Sequence, residues 1–172
     1  RAPTVQAVSF PDNLHWPRQG GELHLGVAVA PDVDSQKVAN VLAAWNFADT
    51  FDAGVIAQSA TCEQNVPTEG VIEVCLSATG PGPSAVIWRV PFTNHIRAAR
   101  IHIWAGENEQ NICHEIGHAL GIAHPGAAGG CLEGGACPVP EDLDLLDSLM
   151  AHEDDYTVPS APYVLTGQTK CF

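Results

Sequence analysis

The chain has 172 residues, enough for one domain with a substantial core but too few for two independent cores, so we predict a single domain over 1–172. Twenty acidic residues against seven basic ones give a formal charge of −13, and we therefore expect no nucleic-acid partner and no anionic membrane surface. No apolar run approaches the roughly 20 residues of a membrane-spanning helix, which predicts a soluble protein.

The first predicted elements are a strand and a helix. Residues Glu22 to Ala30 alternate as in a strand, and Pro31 closes it. Asp34 or Ser35 can cap a helix that runs to about Ala48, in which apolar residues recur at helical spacing.

More strands and a second helix follow. Three β-rich stretches are separated by turn residues: Gly54 to Ala60, Val71 to Ser77, and Ala85 to Phe92. A fifth strand, Ala99 to Ala105, leads into a helix that carries the sequence NICHEIGHALGIAHP. From Pro125 onward Gly, Pro and Asp are frequent, and Glu141 to Ser148 is only a short helical candidate. We predict a sheet-and-helix part over 1–124 and an irregular part over 125–172.

The chain contains six cysteines, an even number with no CxxC pair: Cys62, Cys75, Cys113, Cys131, Cys137 and Cys171. This pattern favours disulfides and an oxidising compartment. Because no charged-then-apolar leader follows Arg1, we expect a secreted protein in mature form, from which either a signal peptide or a longer precursor segment has been removed. Six cysteines allow 15 pairings. The preferred set is Cys62 with Cys75, Cys131 with Cys137, and Cys113 with Cys171.

Two histidines in the second helix can share a metal ion. His114 and His118 are four residues apart, which places them about 40° apart around a helix and one turn above each other. Glu115 is rotated by about 100° from His114, so its carboxylate can reach a water on the metal without being a ligand.

A third ligand comes from beyond the helix. Gly121 can end the helix in a left-handed conformation, which lets His124 return to the metal, and Pro125 prevents helical continuation. Three neutral imidazoles suit Zn²⁺ and leave a position for water. Zinc lowers the pKa of its water toward about 7, and Glu115 can take that proton so that the hydroxide attacks a carbonyl. We therefore predict a zinc-dependent hydrolase of peptide bonds.

The motif HExxHxxGxxH, from His114 to His124, resembles the zinc-binding signature of the metzincin metallopeptidases, and Ser148-Leu149-Met150 resembles their Met-turn. The helix is most similar to that of matrixins, whereas the cysteines after it look more like adamalysins or pappalysins. The resemblance implies a role for each matching residue: His114, His118 and His124 as zinc ligands, Glu115 as base, Gly121 as pivot, and Met150 as an apolar floor beneath the metal.

The resemblance also implies a fold and a substrate. The fold is α+β, with a mixed, twisted five-stranded sheet and two helices above a smaller irregular C-terminal subdomain, and the active-site cleft lies between them. An antiparallel edge strand lines the cleft, for which Ala85 to Phe92 is the candidate. A protein or peptide substrate would bind along it by strand addition, and we expect a monomeric secreted endopeptidase.

Other interpretations remain open. A secreted zinc-binding module could recognise a partner without cleaving it, and a zinc amidase or exopeptidase would share the same ligands. His152, two residues beyond Met150, is a candidate oxyanion stabiliser, with Tyr156 and Tyr163 as rivals. Four further histidines are interpreted as structural: His15, His24, His95 and His102.

Six acidic positions could bind Ca²⁺: Asp142, Asp144, Asp147, Glu153, Asp154 and Asp155. They match no EF-hand spacing and a solvated face is the favoured interpretation, so calcium is an open question that no motif supports.

Overall fold

The computed structural model describes residues 13–77, 83–124, 126–159, 162–163 and 167–171. Its elements in chain order are β1 (Leu23–Val29), α1 (Ser35–Trp45), β2 (Phe51–Val55), β3 (Val71–Leu76), β4 (Ser84–Arg89), β5 (Ile96–Ile103), α2 (Glu109–Ala119), a 3₁₀ turn (Cys131–Glu133) and α3 (Pro140–Leu149). The predicted order of strands and helices is confirmed, and the α+β class with it.

The five strands form one mixed sheet in the order β2-β1-β3-β5-β4. The neighbouring pairs among β1, β2, β3 and β5 are parallel, whereas β4 runs antiparallel to β5 at one edge of the sheet. The stretch predicted as the antiparallel edge strand therefore occupies that position. The predicted strand Gly54 to Ala60 is displaced, because the pairing of β2 with β1 begins at Phe51, whose side chain is fully buried, and ends at Val55.

Two helices were expected, and the described residues form three α-helices. The third, α3, has ten residues and occupies the stretch where only a short helical candidate was predicted. Pro140 stands in its first turn, where a missing N–H costs nothing, and Leu143 and Leu146 are buried on one face. The C-terminal part is thus more regular than its Gly and Pro content suggested.

Helix α1 packs directly against α2. Asp34 caps α1, since its carboxylate accepts from the amides of Gln36 and Lys37 at 3.0 and 3.3 Å. At Gly117 of α2, an added β-carbon would lie 2.7 Å from the side chain of Leu132 and 3.1 Å from that of Trp45. The small residue in α2 therefore allows the close approach of α1 and of the 3₁₀ turn.

Three disulfides are present and no cysteine is free. The prediction of Cys62–Cys75 is confirmed, but the other two predicted pairs are wrong, because Cys113 bonds to Cys131 and Cys137 bonds to Cys171. The 3₁₀ turn places Cys131 against α2, while the C-terminal segment lies along α1, where the Gln168 amide donates to Asn40 at 3.0 Å. Three disulfides are typical of extracellular proteins. Among the described residues no helix has the length and apolarity to cross a membrane.

Candidate metal centre

Helix α2 positions the first two histidines of the predicted site. Asn108 caps its start by accepting from the Asn111 amide at 3.0 Å, and the helix ends at Ala119. His114 and His118 lie one turn apart on it, and their Nε2 atoms are 3.0 Å apart. The predicted sharing of one helix face by these two rings is confirmed.

The chain turns sharply after α2 at Gly121, whose φ is +100°. This left-handed conformation is the one predicted for the pivot, and the Ile122 amide donates to Gly117 at 3.1 Å across the turn. The turn brings His124 back, so that its Nε2 atom lies 3.1 Å from that of His118. Pro125, predicted to stop the helix, lies outside the described residues.

The Nδ1 atom of each ring is held by an oxygen on the outer side. His114 donates to the carbonyl of Cys131 at 3.1 Å, and His118 donates to that of Ile122 at 2.8 Å. His124 donates to the Glu133 carboxylate at 3.3 Å. Since a neutral imidazole carries one N–H, this tautomer leaves the Nε2 atoms as acceptors.

The Nε2 atom of His118 lies 3.0 and 3.1 Å from those of His114 and His124, and acceptor atoms this close repel one another unless a cation lies between them. The pKa values of the two helical rings agree with that. Burial lowers the pKa of His118 to about 4 and lowers that of His114 as well. Neutral imidazoles are the form that binds metals. The three histidines, whose ligand atoms lie within 4.8 Å of one another, can therefore hold a metal ion.

Glu115 lies between the two helical ligands and is only 5% exposed. Burial, and to a smaller extent the nearby charge of Glu107, raises the pKa of its carboxyl to about 7. A carboxyl group with a pKa near neutrality can both accept and donate a proton at physiological pH. Glu115 is not among the residues whose ligand atoms converge, and its role as base stays a prediction.

The other predicted residues lie further along the chain. Met150 is fully buried and caps the C-terminus of α3, and its carbonyl accepts from Arg18 at 2.9 Å; the role of an apolar floor stays a prediction. His152 is half exposed and belongs to a different cluster, with Nε2 3.3 Å from Asp154 and its ring 4.4 Å from that of His15. Its role as oxyanion stabiliser also stays a prediction.

Two of the acidic residues weighed for calcium bind backbone amides instead. Asp142 accepts from Ala127 and Val139 at 3.0 and 3.2 Å, and Asp147 accepts from Asp49 and Thr50 at 3.0 and 2.8 Å. Within the described part of the chain, the groups that could hold a metal ion are rich in histidine and include one carboxylate between them. Ca²⁺ prefers six to eight oxygens, so this arrangement gives calcium no support.

Sequence reasoning missed the outer contacts of the site. Glu133 binds His124 and also accepts from the Gly126 amide at 3.0 Å. The hydrogen bond to His124 is the main reason why the pKa of Glu133 lies below its usual value. No spacing rule relates Glu133 to the histidine motif, although the CLEGG sequence between glycines indicates a tight turn nearby.

Comparison with models of known protein families finds no match to this chain, and comparison with curated proteins finds none either. The interpretation of the centre therefore depends on its own residues and geometry.

Proposed function

We propose that this protein is a secreted, zinc-dependent endopeptidase of the metzincin type. The observation that carries the proposal is the convergence of the Nε2 atoms of His114, His118 and His124, each with its Nδ1 held by an oxygen on the outer side. Catalytic zinc sites commonly use three protein ligands, and three histidines are one such set. The motif and the glycine pivot supply the family resemblance.

The donor set fits Zn²⁺. Two nitrogens at tetrahedral positions around zinc, each about 2.0–2.1 Å from the ion, lie about 3.3 Å apart. The separations of 3.0 and 3.1 Å are close to this value and require only small ring movements. His114, His118 and His124 would hold the ion, and a polypeptide supplying only three ligands leaves room for water and substrate.

Glu115 carries the proton chemistry. Zinc, when bound, polarises the scissile carbonyl and acidifies the attacking water. The Glu115 carboxylate accepts a proton as water adds to the carbonyl carbon, and it returns that proton to the leaving nitrogen as the C–N bond breaks. The products are a free carboxylate and a free amine, and no acyl-enzyme is formed.

The edge of the sheet supports the proposed substrate class. In the described part of the chain, β4 is hydrogen-bonded to β5 on one side and to no strand on the other. An extended peptide can add to such an edge through its main chain, which suits an endopeptidase that acts within long chains. This edge supports the proposed protein or peptide substrates, and the three disulfides support action outside the cell. We propose that the enzyme acts as a monomer.

A cleavage assay tests the proposal against the two alternatives. The purified protein should degrade casein or gelatin, lose this activity with a chelator and regain it with Zn²⁺. A binding module without catalysis would leave both substrates intact. Fragment ends mapped on a mixed peptide pool should lie within chains, whereas an amidase or exopeptidase would cut no internal bond.

A further inference from the structure

We propose that His15, His95, His152 and Asp154 form a second metal site that binds one Zn²⁺ ion and fastens three separate segments together. Each residue offers one ligand atom, and these atoms all lie within 4.8 Å of one another. The cluster shares no residue with the three histidines of the first centre. The proposal does not depend on the enzymatic function.

The geometry of this cluster resembles that of the first centre. The rings of His15 and His95 are 4.9 Å apart, and those of His15 and His152 are 4.4 Å apart. In the first centre the ring separations are 4.7 to 4.9 Å. Imidazoles so close together, with nitrogens aimed inward, are the arrangement expected around a shared ion.

His15 supplies the strongest argument. Its Nδ1 lies 2.5 Å from the carbonyl oxygen of Asn13, which can only accept, so the neutral ring carries its proton on Nδ1 and leaves Nε2 as an acceptor. The residue is 4% exposed, and Nε2 is buried with no hydrogen-bond partner. It lies 3.5 Å from a carboxylate oxygen of Asp154, outside hydrogen-bond geometry. A buried acceptor beside another acceptor is unfavourable unless a cation joins them.

Asp154 is the common neighbour of all three rings. Its Oδ1 lies 2.9 Å from His95 Nε2 and 3.3 Å from His152 Nε2, while Oδ2 accepts from the Arg18 amide at 3.0 Å. Its side chain is 6% exposed. One carboxylate could neutralise only one protonated imidazole, whereas a divalent cation satisfies three neutral rings and the carboxylate together.

The ligand set favours zinc over harder cations. Three imidazole nitrogens and one carboxylate oxygen make the closed, four-ligand set of a structural zinc site, whereas Ca²⁺ and Mg²⁺ require mainly oxygen. His95 is oriented by Tyr156, whose hydroxyl is 2.7 Å from Nδ1, as His15 is oriented by Asn13. Such outer contacts fix ring orientation in metal sites.

The position of the site gives it a structural role. His15 lies in an extended segment that bonds to the turn before β5, with the Ile96 amide donating to His15 at 2.7 Å. His152 and Asp154 belong to the segment after α3. Beside His15, Leu14 abuts the Gly121 turn and Trp16 donates to Ala119 at 2.9 Å. An ion here would therefore hold the segment on which the pivot of the first centre depends.

Zinc stoichiometry tests this site. Metal-free protein titrated with ZnCl₂ should bind two ions per chain, and metal analysis after gel filtration should agree. His152→Ala and His95→Ala should each bind one, with unchanged secondary structure, since His152 is half exposed and its truncation removes little packing. His24→Ala, an exposed histidine outside both clusters, should still bind two.

The converse variant separates the two centres. The double variant His114→Ala/His124→Ala should retain one zinc ion, bound at the second site. The triple variant that also carries His152→Ala should bind this ion at least about 100-fold more weakly. Zinc should also raise the Tm of the double variant but not of the triple variant. The second site would be overturned if the wild-type protein bound only one zinc ion per chain. It would also be overturned if both His152→Ala and His95→Ala still bound two ions, whether or not the protein cleaves peptides.

Discussion

An added β-carbon at Gly121 would lie 2.2 Å from the carbonyl oxygen of Leu14. Glycine is thus required at this position for two reasons: its φ is positive, and the backbone at Leu14 leaves no room for a β-carbon. Because the same turn directs His124 back to the other ligands, packing at Leu14 and metal binding are coupled.

Gly121→Ala should destabilise the protein and weaken metal binding together. Left-handed strain costs about 1–2 kcal/mol and overpacking about 1–3, so the free energy of unfolding should fall by about 2–5 kcal/mol. Gly106→Ala is a matched control, because Gly106 also has a positive φ but open space around its Cα. It should lose only about 1–2 kcal/mol and keep full zinc affinity. Urea unfolding and zinc titration measure both, and equal losses in the two variants would contradict the coupling.

Glu133→Ala should lower zinc affinity by about 10–100-fold, because the carboxylate orients His124 and raises its basicity. Glu133→Gln keeps an acceptor oxygen and should lose less. Glu141→Ala, at another exposed glutamate of the C-terminal part, serves as the control and should bind zinc normally. Competition titration with a chromophoric chelator gives the affinities, and an unchanged value for Glu133→Ala would exclude this role.

The two disulfides that were not predicted offer a further test. Cys113–Cys131 joins α2 to the turn whose carbonyl accepts from His114. Replacing both cysteines by alanine should cost about 2–4 kcal/mol and also lower zinc affinity. The control is the double replacement at Cys62–Cys75, which closes a loop of similar length that contains none of the proposed zinc ligands and should cost stability alone. Peptide mapping without reduction checks the pairing itself, and a Cys113–Cys171 bond would contradict the structure.

Glu73 and Arg100 form a buried ion pair at 2.8 Å. Burial raises the pKa of Glu73, but hydrogen bonds from Thr61 and Arg100 outweigh this and lower it below 4.5. Glu73 therefore makes its full contribution to stability at pH values above the pKa that it has in the unfolded chain. This contribution is lost as the pH falls through the lower pKa that Glu73 has in the folded protein.

Glu73→Gln should cost about 3–5 kcal/mol at pH 7, because Arg100 keeps a buried charge without its partner. Below about pH 4.5 the free energy of unfolding should also fall less steeply with decreasing pH in Glu73→Gln than in the wild type, since the titrating carboxyl is gone. Arg97 and Glu69 form an exposed pair, so Glu69→Gln should change the free energy of unfolding by less than about 1 kcal/mol. Urea unfolding at several pH values tests this, and equal slopes for wild type and Glu73→Gln would contradict it.

The local parts of the fold could be predicted from the sequence, and the reason is visible at α2. The helical spacing of His114 and His118, and the left-handed glycine after them, depend only on neighbouring residues. In contrast, the partners of Cys113 and Cys137 depend on how distant segments pack, and their pairing was predicted wrongly. His15 and His95 seemed isolated in the sequence for the same reason, since only the tertiary fold brings them to Asp154.

The most direct test of the proposed mechanism separates metal binding from chemistry. Glu115 lies beside the ligands, so Glu115→Ala keeps all three imidazoles of the first centre, whereas His118→Ala removes one of them. Zinc content and peptide cleavage are measured on both variants and on wild type. Glu115→Ala should retain the wild-type zinc content and lose nearly all hydrolysis, and His118→Ala should lose both the ion of the first centre and activity. Cleavage by Glu115→Ala near the wild-type rate would contradict the mechanism, even with the zinc in place.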